Sequence, residues 1–205
     1  MKLKRPLVAI ILIQLLIIPV SAFAGAALET VKGNCDAVLE VLRAPSLKPE
    51  AAQKVKKDRI RAISVKMFDF TELSKRTLAR NWEQFNPDQQ REFIELYRSL
   101  LEDAYAAKIL TYADEKIVFI KEVQLSEKTV EVQSTLFRKT DTIPVYYRVI
   151  LKDGMWRIYD VVIEGVSLIN NYRSQFREIL YHKTPGALLE TLRKKVGAEY
   201  VANVI

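Results

Sequence analysis

Apolar and polar positions follow two different periods along the chain, and the period changes near residue 116. Before that point apolar residues recur every three or four positions, which predicts α-helices. From there to residue 164 they alternate with polar residues, as is typical of strands half buried in a sheet. After Gly165 the helical period returns. The pattern predicts helices near residues 28–43, 49–65, 69–82, 87–112, 168–182 and 184–204, and strands at Lys116–Val123, Lys128–Arg138, Ile143–Lys152 and Met155–Glu164.

A single run of strands between two groups of helices is typical of an α+β fold. The short polar links predict a twisted four-stranded antiparallel sheet connected as a meander. We expect the helices to cover one face of this sheet around an apolar cavity. Residues that cap helices support three of the predicted starts: Asp69 with Glu72, Asn86 with Gln89, and Ser167.

Two of the predicted helices show which side should be buried. The first carries Val31 and Cys35 on one apolar stripe, so we expect Cys35 to be a buried, inert thiol. The second helix is polar, and Val55, Ile60 and Ile63 are its expected inward positions.

The turn between the last two predicted strands allows their facing residues to be derived. Asp153-Gly154 is the signal of a two-residue hairpin, and its length sets the register of both strands. That register pairs Val149 with Ile158 and then Tyr147 with Asp160. The face that we expect to point towards the helices therefore carries Val145, Tyr147, Val149, Leu151, Trp156, Ile158, Asp160 and Val162.

The first 24 residues have the pattern of a secretory leader. Three cations within Met1–Arg5 precede an apolar run over residues 7–20, and Ala22-Phe23-Ala24 follows with small residues at its first and third positions. An uncleaved anchor is the alternative, although the run is short for a membrane span. We expect cleavage after Ala24, export to the periplasm of a Gram-negative bacterium, and a single domain over residues 25–205.

Composition and charge exclude several classes of function. The formal charge is +7, but three of the cations lie in the leader and the others are mixed with acids, so nucleic acid is not an expected partner. One cysteine and one histidine exclude an internal disulfide and a metal site built on several of these residues. We therefore expect neither a metal nor a bound cofactor.

Asp160 is the one acid on the predicted inward face of the sheet. A buried carboxylate must be hydrogen-bonded or lose its charge, and three interpretations follow. The first is a structural carboxylate that holds the corner between sheet and helix, bonded to Tyr147 or to backbone N–H groups from Val166 onward. The second is a polar group at the mouth of a pocket. The third is a catalytic acid or base.

The run from Gly154 to Arg173 resembles the signature of the MlaC family, also called toluene-tolerance auxiliary proteins. Its most specific part is Trp156 with Asp160, followed by Glu-Gly-Val-Ser at 164–167, and the upstream spacing of Trp82 and Phe93 is similar as well. The resemblance covers residues from about 31 to 196.

This resemblance implies a periplasmic carrier that holds a glycerophospholipid as cargo and is not an enzyme. The implied partners are an inner-membrane ABC transporter complex with MCE domains and an outer-membrane lipoprotein–porin complex. Shuttling between them maintains the lipid asymmetry of the outer membrane. The implied pocket encloses the acyl chains, because each methylene exposed to water costs about 0.8 kcal/mol.

We expect that pocket between the inward sheet face and the helices on it. Two other functions stay open: a cone-fold periplasmic enzyme that uses Asp160, and a chaperone-like adaptor for lipoproteins. An aromatic set that includes Trp82 is either core or the wall of the cavity. The predicted lipid-binding residues are Phe93, Tyr97, Leu100, Leu101, Tyr105, Tyr147, Val149, Trp156, Ile158, Asp160, Val162, Ile169 and Tyr172.

Overall fold

The computed structural model describes residues 25–47, 49–110 and 115–202, with the backbone alone at 106–108 and 197–202. The helices in these ranges are α1 Ala26–Arg43, α2 Gln53–Met67, α3 Phe70–Leu78, α4 Pro87–Leu110, α5 Leu168–His182 and α6 Pro185–Ala202, with short 3-10 helices at Pro45–Leu47, Glu50–Ala52 and Ala79–Gln84. The strands are β1 Lys116–Ser126, β2 Thr129–Phe137, β3 Thr142–Lys152, β4 Met155–Ile163 and β5 Val166–Ser167. The predicted leader and the predicted ends of α4 and α6 lie outside the described residues.

The predicted helix caps are confirmed. Asp69 accepts a hydrogen bond from the backbone N–H of Glu72 at 2.8 Å, at the start of α3. Asn86 and Gln89 bond each other's backbone N–H groups at 2.9 and 3.1 Å, before the first turn of α4. Ser167 accepts from Asn170 at 3.1 Å and begins α5. These contacts are local in sequence, which is why the pattern alone could predict them.

The sheet has five strands rather than the predicted four. The strands lie in the order β1-β2-β3-β4-β5, each antiparallel to the next. The fifth exists because Glu164 and Gly165 have φ angles of 51° and 81°, so the chain turns back and pairs Val166 with Ile163. Asp153 and Gly154, with φ angles of 52° and 75°, form the predicted hairpin turn in the same way.

The register of β3 and β4 is as predicted only near their shared turn. Val149 faces Ile158, but a bulge follows, so that Arg148 rather than Tyr147 faces Asp160. A bulge inserts one extra residue, here in β4, and every later side chain moves to the other face. The prediction that Asp160 and Val162 share a face with Ile158 is therefore wrong.

Helices cover both faces of the sheet, not one. We call the face that carries Val149 and Ile158 the α1 face, because α1 packs on it. We call the face that carries Arg148, Asp160 and Val162 the α5 face, because α5 and α3 pack on β4 there. The expectation that all helices gather over the α1 face is wrong.

The buried side chains form two separate cores, one on each side of the sheet. Phe68, at the α2–α3 junction, is half buried and packs against both. We call the first the sheet core: Ala27, Val31, Cys35, Met67, Val130, Val132, Leu136, Ile143, Val145, Tyr147, Val149, Trp156 and Ile158. We call the second the helical core: Leu73, Leu78, Trp82, Phe85, Phe93, Tyr97, Leu100, Leu101, Tyr159, Ile169, Phe176, Leu188, Leu189 and Leu192.

The buried side of α2 differs from the predicted one. Val55 was expected to face inward, but it is 45% exposed, and Lys56 and Met67 are the buried residues of the helix. The α-helix begins at Gln53, after a 3-10 turn, rather than near residue 49. Packing against α1 then decides which side is covered, and a mostly polar helix has too weak an apolar stripe to oppose it.

Candidate functional site

The structure divides the thirteen predicted lipid-binding residues between the two cores. On the helices, Phe93, Tyr97, Leu100, Leu101 and Ile169 are buried in the helical core, and Tyr105 and Tyr172 are half buried against it. On the strands, Tyr147, Val149, Trp156 and Ile158 are buried in the sheet core. Asp160 and Val162 are buried on the α5 face. The predicted residues therefore do not line one common space.

The helical core is built around a cluster of aromatic rings from α4, α5 and the segment between α3 and α4. Phe93 lies 5.7 Å from Phe85, 5.5 Å from Tyr97 and 5.6 Å from Phe176, measured between ring centroids. Tyr172 lies 5.2 Å from Tyr97. Most of these pairs meet edge to face, which is the arrangement that aromatic quadrupoles favour.

Three hydroxyl groups lie within this apolar surrounding. The Tyr97 and Thr77 hydroxyls are 3.4 Å apart, and that of Thr77 also donates to the carbonyl of Leu73 at 2.8 Å. Burial raises the pKa of Tyr97, so its hydroxyl is neutral. The buried Ser74 hydroxyl has no hydrogen-bond partner in the described part of the chain. The helical core thus contains polar groups with unused hydrogen-bonding capacity.

The sheet core is mainly aliphatic and contains buried polar contacts as well. The Ser134 hydroxyl of β2 donates to the carbonyl of Val145 at 2.7 Å. The Cys35 thiol of α1 lies 3.7 Å from the Tyr147 hydroxyl of β3. Burial raises the pKa of Cys35 to about 11 and raises that of Tyr147 as well, so both groups are neutral. Cys35 is therefore the buried, inert thiol that the sequence predicted.

Asp160 holds the corner between β4 and α5. One carboxylate oxygen accepts from the Ser167 hydroxyl at 2.6 Å and from Arg148 at 3.2 Å, and the other accepts from the backbone N–H of Ile169 at 3.0 Å. Only 1% of the residue is exposed. The first of the three interpretations, a satisfied structural carboxylate, is confirmed, although Tyr147 is not its partner.

Two arginines lie at the border between the α5 face and the helices. Arg148 also bonds Glu131 at 3.1 Å, so its charge meets two carboxylates. Arg76 of α3 lies 4.1 Å from the ring of Tyr159, the residue at the bulge. Burial raises the pKa of Tyr159, and the nearby positive charge of Arg76 opposes that rise. The bulge thus places an aromatic ring under the helices.

Two surface clefts in the described part of the chain differ from the expected apolar cavity. A cleft of about 650 Å³ lies at the end of α1, between Asp36 and Pro45. A cleft of about 440 Å³ lies between α1, Lys66 and the β3–β4 turn, and Trp156 is the one predicted lipid-binding residue in its lining. Neither is lined by the helical core.

The described residues contain no group of three or more histidine, cysteine or acidic residues able to hold a metal ion. None of the helices in these ranges is both long and apolar enough to cross a membrane.

Sequence reasoning missed two parts of the site. It did not place Phe85, Phe176 or the hydroxyls of Ser74 and Thr77 in the core with Tyr97. A signal for Phe176 was present, because it follows Ile169 by seven residues on the same helix and so lies on the same side. The hydroxyls gave no such signal.

The fold is of the α+β class. Helix α1 packs on one face of an antiparallel sheet, and α3 and α5 pack on the other. A sequence model of the family described as MlaC protein matches residues 32–194 of the chain. This match covers well over half of the sequence. The chain belongs to the MlaC family.

Relatives match this chain both by sequence and by structure. The intermembrane phospholipid transport system binding protein MlaC of Haemophilus influenzae is 20% identical over 133 residues. The aligned part is 62% of this chain and 62% of that protein, so it spans less than two thirds of the relative. The structure of a phospholipid-binding protein from Ralstonia solanacearum, in complex with a phospholipid, has a TM-score of 0.76 and 26% identity, and covers 85% of this chain and 98% of that one.

Proposed function

We propose that this protein carries a phospholipid between membranes and that its acyl chains are held inside the domain. The observation that carries the proposal is the likeness to a protein that was solved with a phospholipid bound, over 85% of this chain and nearly all of the other. The relative from Haemophilus influenzae, whose name assigns it to intermembrane phospholipid transport, supports the same function.

The energetics of the cargo require an enclosed site. Two acyl chains with on the order of 30 methylenes together would cost roughly 24 kcal/mol if they were left in water. The two surface clefts do not offer an apolar enclosure of that kind, because polar or charged residues line both. In this proposal the packed cores open to admit the acyl chains when the lipid binds.

We propose that the helical core is the part that opens. The helices α4 and α6 pack mainly against each other, whereas the strands are contacted by α1, α2, α3 and α5. Moving the α4–α6 pair away from the sheet would break side-chain contacts but no backbone ladder. The hydroxyls of Ser74, which has no partner in the described part of the chain, and of Tyr97 would then offer donors to the ester oxygens of a glycerophospholipid.

In this proposal the helical residues form the inner wall of the lipid site. These are Phe93, Tyr97, Leu100, Leu101, Tyr105, Ile169 and Tyr172. The strand residues Tyr147, Val149, Trp156 and Ile158 would lie behind that wall, on the far side of the sheet, and keep the sheet attached to α1. Val162 and Asp160 would lie at the border, where β4 meets α5.

The proposed cellular setting follows from family membership and from the leader pattern. We propose cleavage after Ala24, a single domain over residues 25–205, and action in the periplasm. The proposed partners are the inner-membrane ABC transporter complex with MCE domains and the outer-membrane lipoprotein–porin complex. Transfer between them would maintain the lipid asymmetry of the outer membrane.

The geometry around Asp160 argues against an enzyme built on this residue. Both carboxylate oxygens accept hydrogen bonds from the protein's own donors, and almost none of the side chain is exposed. A general acid or base must reach a substrate within hydrogen-bond distance. An adaptor for lipoproteins would instead carry acylated protein or peptide, which the experiment below distinguishes.

Solvent extraction and mass spectrometry of the protein purified from the periplasm test the function. We expect bound glycerophospholipid in an amount comparable to the protein. Leu100→Trp fills the helical core and should lower that amount by more than half, whereas Val149→Trp in the sheet core should leave it unchanged in molecules that remain folded by circular dichroism. Protein without lipid, or with acylated peptide in its place, would contradict the proposal.

A further inference from the structure

Glu122 is out of place on the α1 face of β1. It faces Val132, which is completely buried, across the β1–β2 ladder, and Phe119 lies on the same face. A bulge at Ile120 puts it there, since an unbroken strand would place Lys121 on that face instead. Bulges commonly redirect one side chain, and here the redirected side chain is a half-buried carboxylate beneath the first turn of α1.

The carboxylate binds the very start of the described chain. One oxygen accepts from the backbone nitrogen of Gly25 at 2.6 Å, and the other accepts from the backbone N–H of Leu28 at 3.1 Å. No lysine, arginine or histidine in residues 25–47, 49–110 or 115–202 forms an ion pair with Glu122. Two N–H donors at the positive end of α1 already satisfy this half-buried carboxylate, and a cation at the same place would add an ion pair.

The sequence supplies that charge at the contacted atom. Ala22-Phe23-Ala24 ends immediately before Gly25, so a leader peptidase that cuts after Ala24 turns the Gly25 nitrogen into an α-ammonium group. We propose that Glu122 is the binding site for this new N-terminus. Processing then converts a hydrogen bond from a neutral amide donor into an ion pair between α1 and the edge strand of the sheet.

The chemistry of the two states differs in a defined way. In the precursor the Gly25 nitrogen is an amide with one N–H, which is already used by Glu122. Hydrolysis of the Ala24–Gly25 bond adds one water: its oxygen completes the Ala24 carboxylate, and its two protons turn the Gly25 N–H into an α-ammonium group. The acceptor is charged in both states, and processing makes the donor charged as well, which adds a Coulombic attraction to the hydrogen bond. Glu122 also offsets the repulsion between an ammonium group and the positive end of α1.

Gly25 suits this role because of its backbone. Its φ of 92° lies in the region that side chains disfavour, and that conformation points its nitrogen at β1 as α1 begins. An added Cβ would meet no atom within 4 Å, so the requirement is conformational rather than steric. Processing therefore completes the attachment of α1 to the sheet core. Before processing the attachment is weaker, which helps a precursor stay loosely folded for export.

This inference rests on the export part of the proposed function, and its test uses two chains with defined starts. One begins at Gly25, and the other begins at Ala22 and so keeps the peptide bond before Gly25. Each is made with Glu122 and with Glu122→Gln, and unfolding in urea is measured for all four. We expect the unfolding equilibrium constant of the Gly25 chain to be about fivefold smaller than that of the longer chain. When both chains carry Glu122→Gln, we expect no such difference.

Two controls make the result specific. Glu127→Gln, an exposed change in the β1–β2 turn, should leave the fivefold difference intact. Sodium chloride at 1 M should reduce the difference in the unsubstituted pair, because salt screens an ion pair that is partly open to water. This second measurement holds even if the Glu122→Gln chains fail to fold. Equal stability of the two starts, or a difference that survives the Glu122→Gln change, would overturn the proposal.

The cellular half of the inference is tested by sequencing the N-terminus of the exported protein. A first residue of Gly25 supports the proposed site, and any other start overturns its link to processing. The lipid content of the purified protein does not enter either measurement. Failure here is therefore distinguishable from failure of the proposed carrier function.

Discussion

The helical core and the sheet core have similar sizes but different construction. The sheet core stacks aliphatic side chains such as Val132 and Val149 between a hydrogen-bonded ladder and α1, with the end of α2 beside it, and Glu122 fastens α1 to β1. The helical core packs rings such as Phe93 and Tyr97 between helices that share no ladder. Opening the sheet core between its strands would break backbone hydrogen bonds, whereas the helices of the helical core can separate by exchanging side-chain contacts alone. The difference is the basis for placing cargo in the helical core.

The largest effect should come from removing the centre of the aromatic cluster. Phe93→Ala leaves a void between Phe85, Tyr97 and Phe176, and we expect a loss of about 4 kcal/mol in the free energy of unfolding in urea. Phe137→Ala, the same change at a site 42% exposed, should cost less than about 1 kcal/mol. Equal losses at both positions would mean that the helical core is not the packed unit described here.

The next largest loss of stability should come from a change at the corner between β4 and α5. Asp160→Asn removes the charge that Ser167, Ile169 and Arg148 bond, and we expect a loss of about 2 kcal/mol with the lipid cargo retained. Asp153→Asn, in the exposed β3–β4 turn, is the control, because asparagine accepts the same backbone conformation. An Asp160→Asn protein of unchanged stability would remove the structural role of this carboxylate.

The sheet core should weaken in alkali through Cys35. The unfolded thiol ionises near pH 8.5, but burial raises the pKa in the folded protein to about 11. Below about pH 8.5 the thiol keeps its proton in both the folded and the unfolded state, so Cys35 adds no pH dependence to the stability. Between about pH 8.5 and 11 only the unfolded state releases it, and stability should fall by about 3 kcal/mol.

Urea unfolding at several pH values, compared with Cys35→Ala, isolates this contribution. Tyr97 and Tyr147 also have raised pKa values, but they lose their protons in the unfolded state only near pH 10. The variant should therefore show a flatter profile between about pH 8.5 and 10. The same slope in both proteins would mean that Cys35 is not buried in the folded state.

The smallest changes in stability should come from alanine substitutions at two glycines, and the two changes should have opposite signs. Gly165→Ala forces a φ of 81° on a residue with a side chain, and we expect a loss of about 1 kcal/mol. Gly33→Ala lies within α1, meets no atom within 4 Å, and should gain about 0.8 kcal/mol. Thermal unfolding of both variants checks the pair. A loss at Gly33 would mean that α1 does not lie on the sheet core as described.

What the sequence predicted correctly depends on contacts close along the chain. The cap at Asn86, the cap at Ser167 and the turn at Asp153-Gly154 involve residues within four positions of each other, and all three are confirmed. The family resemblance, which rested on the run that begins at Gly154, is confirmed as well. Helix caps and tight turns can be predicted from the sequence because few other arrangements of neighbouring residues compete with them.

What the sequence did not predict depends on packing between distant segments. The bulge at Tyr159 moves Asp160 and Val162 to the α5 face, and no local signal distinguishes it from a regular strand. The cover that α1 gives to the α1 face depends on contacts about a hundred residues apart, as between Cys35 and Tyr147. Alternation along one strand shows which residues share a face, but not what lies on that face.

The most direct test of the account is to find where the acyl chains lie. The protein is loaded with a phospholipid that carries a photoreactive group at the end of one chain, irradiated, digested and sequenced by mass spectrometry. The account predicts adducts on α4 and α5, at side chains such as Leu101 and Tyr172. Adducts confined to α1 and the α1 face of the sheet, at Val31 or Val149, would contradict it.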